Sequence, residues 1–161
     1  MMFAIEYTWE RREMEIQKML TTDRSVAVIL AAVHFEWMIK RGILKLSHSP
    51  TRQLRQKLED VYTLTSKKQT SYKDIWDAEV GCHYRNAALG NVLGSMTSIQ
   101  NTALKVRGRI IHGNGTPSKD EAEKAVDLYL STARKIALFA AKHGKDLNTR
   151  LNPRRSPRST K

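Results

Sequence analysis

Cysteine is almost absent: Cys82 is alone among 161 residues. One thiol cannot close an internal disulfide, which excludes the disulfide-stapled secreted scaffolds and points to a reducing, cytoplasmic setting. One cysteine and five scattered histidines (His34, His48, His83, His112 and His143) do not supply the paired ligands of a zinc cluster. Long apolar runs are missing too. The longest, Val26 to Val33, is followed at once by His34 and Glu36, so no membrane span is expected. The opening residues place no basic segment ahead of an apolar one, so no cleaved signal is expected either. There is no GxxxxGK loop, no GxGxxG after a strand, no HExxH and no GxSxG. Nothing in the sequence therefore calls for a metal or an organic cofactor.

Acids are scarce as well. Against 28 Lys and Arg stand 16 Asp and Glu, a net charge of +12. Such a field attracts polyanions: RNA, DNA, an anionic membrane or an acidic protein. The stretch Asn148 to Lys161 carries five basic residues and no acid. With its prolines it reads as a flexible, disordered basic tail, which tracks RNA, meets a partner or merely solubilises.

What is present is a helical pattern from end to end, with an apolar fraction of 40%, enough for one core. The expected fold is an all-α bundle of four to five main helices in one domain, residues 1–147, followed by the tail 148–161. The first helix is expected over Glu6 to Leu20, followed by a cap within Thr21-Thr22-Asp23. The second, Arg24 to Leu46, is the most apolar and should centre the core, with Gly42 loosening its far end. Ser49 is expected to cap a third helix, Pro50 to Leu64. A short helix over Tyr72 to Val80 follows, while Gly81 to Gly94 is ambiguous and is assigned no element. Met96, Ile99, Ala103, Val106 and Ile110 then recur at spacings of three and four, one stripe on one helix that ends at Gly113-Asn114-Gly115. Ser118-x-x-Glu121 is a capping box that opens the last helix, about Lys119 to His143.

One segment concentrates chemistry: Lys105-Val-Arg-Gly-Arg-Ile-Ile-His112-Gly. Arg107 falls on the flank of the apolar stripe, where a guanidinium needs an anionic partner. Glu36, an acid within the apolar second helix, is a candidate for it, or else a surface glutamate or a purely structural ion pair. His112 falls in the last turn, where the negative end of the helix dipole favours its imidazolium. A histidine of that kind serves as general acid or base, and a guanidinium stabilises a phosphate gaining charge. Equally, a histidine before a helix-ending glycine is often just a favourable terminal charge, and Arg107 and Arg109 can be solvated surface. Trp9, Trp37 and Trp76 can stack bases, but with apolar neighbours they read more readily as core.

The pattern resembles the HEPN superfamily, small all-α domains that include ribonucleases marked by Arg-x4-6-His near the end of a late helix. The match is Arg107-Gly-Arg-Ile-Ile-His112-Gly, preceded by a basic apolar helix and followed by Gly-Asn-Gly and a long amphipathic helix. The second helix, with Glu36 in its middle, looks like the family's apolar second helix. The resemblance covers about Glu6 to His143. It implies a metal-independent endoribonuclease that cuts single-stranded RNA, uses the 2′-hydroxyl as nucleophile and leaves a cyclic phosphate. It implies Arg107 and His112 as the catalytic pair, working in a homodimer whose two copies of the pair meet in a cleft. On one ideal helix the two residues lie about 140° apart, which a two-fold arrangement would remedy. Arg109, Lys105, Asn114 and Glu36 would support the site or contact RNA, Arg109 gripping phosphate. The implied role is a toxin or phage-defence effector with a possible cognate antitoxin. The alternatives are a non-catalytic HEPN-like RNA-binding module and a protein-interaction module. The chain departs from the family pattern at Gly108, where a polar residue usually follows the arginine. It departs again at Asn114, where some toxins carry a tyrosine that an antitoxin modifies.

Overall fold

The computed structural model describes residues 8–94 and 96–155. Every regular element there is helical, and no strand occurs among the described residues. The helices are α1 (Trp9–Thr22), α2 (Arg24–Leu46), α3 (Thr51–Glu59), α4 (Tyr72–Trp76), α5 (Leu89–Leu93), α6 (Met96–Ser98), α7 (Leu104–Ile111) and α8 (Lys119–Lys142). Helix α4 runs on into a π-helical turn, Asp77–Gly81, and a second π segment, Ile99–Ala103, joins α6 to α7. No described helix is long and apolar enough to cross a membrane. Backbone contacts group the chain into two compact units: residues 1–38 with 93–135, and residues 39–92 with 136–161.

In the first unit, α1 starts at Thr8, whose hydroxyl accepts the Arg11 N–H at 3.3 Å. The start expected at Glu6 lies outside the described residues. Asp23 caps α2 by accepting the Val26 N–H at 3.0 Å, as the cap signal predicts. Ala27, Val28, Ala31 and Ala32 of α2 are buried, and the Phe35 ring meets that of Tyr129 on α8 at 5.7 Å. The apolar stripe is core in its middle: Ile99 and Ala103 are fully buried and Val106 nearly so, while Met96 and Ile110 are half-buried. The π segment lies on this stripe, with the Leu104 N–H reaching back five residues to Ile99 O. The capping box forms as expected. Ser118 N–H donates to Glu121 Oε2 at 2.8 Å, and Glu121 N–H donates to Ser118 Oγ at 3.2 Å.

In the second unit, three expectations change. Ser49 does not cap α3. Its hydroxyl donates to Glu79 Oε2 at 2.6 Å, beside Ser47 Oγ at 2.9 Å, while Lys57 Nζ donates to Glu79 Oε1 at 2.6 Å; against the cost of burial, these partners hold Glu79 below the usual carboxylate range. Helix α3 ends at Glu59 instead of Leu64, because the next segment has another task. Thr63 O and Leu64 O accept the N–H groups of Tyr72 and Lys73, the orphan donors that open α4. Gly42 does not loosen α2. It lets Trp76 approach so closely that a Cβ there would lie 2.7 Å from the indole. Trp76 is fully buried core, its Nε1–H donating to Ala87 O at 2.7 Å.

The expected free tail is, over residues 148–155, a docked segment. Leu147 and Leu151 are buried. Lys45 Nζ donates to Thr149 Oγ1 and Arg150 O, and Arg41 donates to Leu147 O and Thr149 O. Arg154 donates from Nε to Ser49 O at 2.9 Å and from a terminal nitrogen to Leu44 O at 3.0 Å. Its backbone exchanges hydrogen bonds with Thr51. The composition signal failed because two spaced leucines, set among the arginines, are enough to anchor the segment. Residues 156–161 of the expected tail lie outside the described residues.

Candidate active site

The end of α7 is fixed by its sequence. His112 is the C-cap, and Gly113 follows at φ +70°. Gly113 N–H donates to Ile110 O and Asn114 N–H to Arg109 O at 2.8 Å, the paired bonds of a Schellman motif. Only glycine adopts that φ without strain, which is why the helix stops here. The cap leaves His112 exposed, its ring without a hydrogen bond or ion pair among the described residues.

Arg107 lies one residue past buried Val106 and turns toward α2, where its guanidinium meets Glu36 Oε1 at 3.4 Å. The anionic partner that the arginine's position demands is thus present, and both side chains keep partial access to solvent, at 30% and 26% exposure. Within electrostatic reach of both is Tyr129 on α8, whose buried hydroxyl has no hydrogen-bond partner among the described residues. Burial pushes its phenol far above the ordinary range, Arg107 pulling the other way. Tyr129 is therefore a neutral donor close to the ion pair. The spacing marks it only as core-facing; its hydroxyl beside a charged pair has no signal in the linear pattern.

Arg109 does not stand free to grip phosphate. Its guanidinium donates to Glu121 Oε2 at 2.8 Å, and that bond, with the Ser118 N–H, holds the Glu121 carboxyl down to about 2. The capping box and the motif helix are joined through this one glutamate. Lys105 and Asn114 are exposed, and Asn114 enters through its backbone alone. Gly108 faces open space: a Cβ there would meet nothing within 4 Å. The structure thus brings Arg107 to Glu36 and Arg109 to Glu121. Arg107 lies within α7 and His112 is its C-cap, five residues on, and no hydrogen bond or ion pair joins their side chains among the described residues.

A second charged constellation escaped the sequence reading. His34, fully buried on α2, accepts the Arg12 Nε–H at Nδ1 (3.3 Å), with its Nε2 3.6 Å from Glu13 Oε1. Arg134 Nε donates to the other oxygen of Glu13 at 2.6 Å. The Arg12 guanidinium also lies over the Trp37 ring, 3.6 Å from its centroid. Burial lowers the His34 pKa, outweighing the opposing pull of Glu13, and the adjacent Arg12 pushes the same way as burial; toward Arg12 the ring is an acceptor. The constellation is built from positions 12, 13, 34 and 134, and no local spacing announces it. Among the described residues, no three His, Cys, Asp or Glu side chains are grouped to hold a metal ion. In comparisons with known proteins, the sequence matches no family model, no curated protein and no solved structure.

Proposed function

We propose that this chain is a metal-independent endoribonuclease of HEPN type that cleaves single-stranded RNA. The observation that carries the proposal is the ion pair between Arg107 and Glu36, half-open to solvent, on the helix whose C-cap is the exposed His112. A carboxylate that orients a guanidinium, with an imidazole five residues further on, is a sufficient set for the reaction once two copies bring the groups together. The 2′-oxygen attacks the adjacent phosphorus and the 5′-oxygen leaves, giving a 2′,3′-cyclic phosphate and a free 5′-hydroxyl. His112 moves the proton at the nucleophile or the leaving oxygen. Arg107 neutralises the charge that builds on the phosphate. Because the two side chains diverge on α7, the working unit is a homodimer in which each copy's Arg107 and His112 contribute to a shared cleft. The biological setting that fits is a toxin or phage-defence effector restrained by an antitoxin. With Asn114 where some toxins carry a modifiable tyrosine, that restraint acts by some other means.

The second reading, an RNA-binding module that does not cut, is favoured by Gly108, which supplies no polar side chain beside Arg107. Activity separates the two. Arg107→Ala is expected to lower cutting by at least about a hundredfold, the usual worth of one transition-state charge contact. Arg109→Ala should leave most of it, since Arg109 is occupied with Glu121. End-group analysis should find the cyclic phosphate. Full cutting by Arg107→Ala with loss in Arg109→Ala would reverse the assignment, and no cutting by any form would favour the binding module.

A further inference from the structure

The charge of the chain is not shared evenly between its two units. The unit of residues 1–38 and 93–135, which holds Arg107 and His112, has 11 Lys and Arg against 10 Asp and Glu. The unit of residues 39–92 and 136–161 has 17 against 6, a net +11. The arginines of the two units also differ in use. In the first, Arg107, Arg109 and Arg134 each meet a carboxylate. In the second, Arg52 and Arg55 on α3 and Arg155 on the docked C-terminal segment make no ion pair or hydrogen bond through their side chains among the described residues, and all three are exposed.

These three arginines converge. A cleft of about 630 Å³ opens between α3 and the C-terminal segment, lined by Arg52, Arg55, Arg154 and Arg155, with Glu59 its one acid. Arg52 and Arg55 are three apart, so they share a face of α3. Arg154 fixes the opposite wall through its bonds to Ser49 O and Leu44 O, which makes the cleft a built feature instead of a passing contact of the chain end. Beside the cleft, burial disfavours the charge on Arg41, and nearby Arg55 pushes the same way. Four guanidiniums kept together with a single carboxylate, Glu59, among them leave an excess of positive charge that marks a site for an anion from outside. Guanidiniums present paired donors that suit phosphate oxygens.

We infer that the Arg52–Arg55–Arg154–Arg155 cleft binds the phosphate backbone of single-stranded RNA, as a docking site separate from the Arg107–His112 centre. The choice of RNA among polyanions rests on the nuclease reading; the cleft itself does not.

The test measures binding of a fluorescein-labelled oligouridylate to full-length His112→Ala protein, so that cutting does not interfere. Arg52→Gln/Arg55→Gln in that background should weaken binding at least about tenfold. It should also flatten the slope of log affinity against log salt by about 1.4, the share of two contacts on a single strand. Lys67→Gln/Lys68→Gln, which removes equal charge from an exposed connector, should change affinity less than about threefold. Equal effects of the two double variants, or none from the arginine pair, would overturn the inference. So would a polyglutamate peptide that binds the parent protein as tightly as the RNA. A wild type that binds RNA through the arginines but never cuts it would sink the nuclease reading and leave the cleft standing.

Discussion

Two glycines on helices make opposite demands, and one substitution tells them apart. At Gly42 a methyl group would be driven into Trp76 at 2.7 Å and Ile136 at 3.0 Å. Overpacking of that kind costs about 1–3 kcal/mol, more than the 0.5–1 kcal/mol a helix gains from alanine. Gly42→Ala should therefore melt lower than the parent. At Gly108 the methyl would meet nothing, so Gly108→Ala should stabilise the protein by about 0.5–1 kcal/mol. Thermal melts of the two variants check both signs. His34 gives a prediction in pH. Its folded pKa is lowered below the ordinary 6.5, so it is neutral in the native state and protonated more readily once unfolded. Its stabilising contribution is present above that value and is lost as pH falls from 6.5 toward the folded pKa, with a slope of at most about 1.4 kcal/mol per pH unit. Denaturant titrations between about pH 5 and 6.5 should show a shallower slope for His34→Asn than for the parent, since the variant keeps an acceptor near Arg12 but has no proton to gain. Identical slopes would mean that His34 is not the titrating group.

Helices were legible where caps and periodicity acted alone. Asp23 starts α2, Ser118 and Glu121 start α8, and Gly113 ends α7, each for a local reason visible in a few residues. Boundaries failed where a distant partner claimed a local group. Ser49 serves Glu79 instead of α3, and Thr63 and Leu64 serve the first turn of α4. The Ser71–Asp74 capping box that opens α4 is a local signal of the same kind as the one that opens α8. The π segments have no spacing signature, because Ile99, Ala103 and Val106 fit an α-helix equally well. The C-terminal segment is the largest such miss, and it carries its own prediction. Ending the chain after Leu147 removes the burial of Leu151, worth about 1.5–3 kcal/mol, together with the carbonyls of residues 149–150 that Lys45 and Arg41 use. The truncated protein should melt several degrees lower. An unchanged melting temperature would show that the docked segment contributes nothing.

The candidate site was legible in part. Arg107, Glu36 and His112 are nameable from sequence, and the demand of a flanking arginine for an acid is met by Glu36. Tyr129 within electrostatic reach of the pair, the capture of Arg109 by Glu121 and the division of charge between the two units depend on residues far apart in the chain. Under the proposal that division would separate two tasks, with Arg107 and His112 in the nearly neutral unit and the arginine-lined cleft in the basic one. The measurement that bears most directly on the central claim is cleavage of single-stranded RNA by purified protein in EDTA, wild type beside His112→Ala. The account predicts cutting by the wild type and a loss of at least about a hundredfold in the variant. Equal cutting by both would contradict it, because the activity would then belong to a contaminant or to a site without His112.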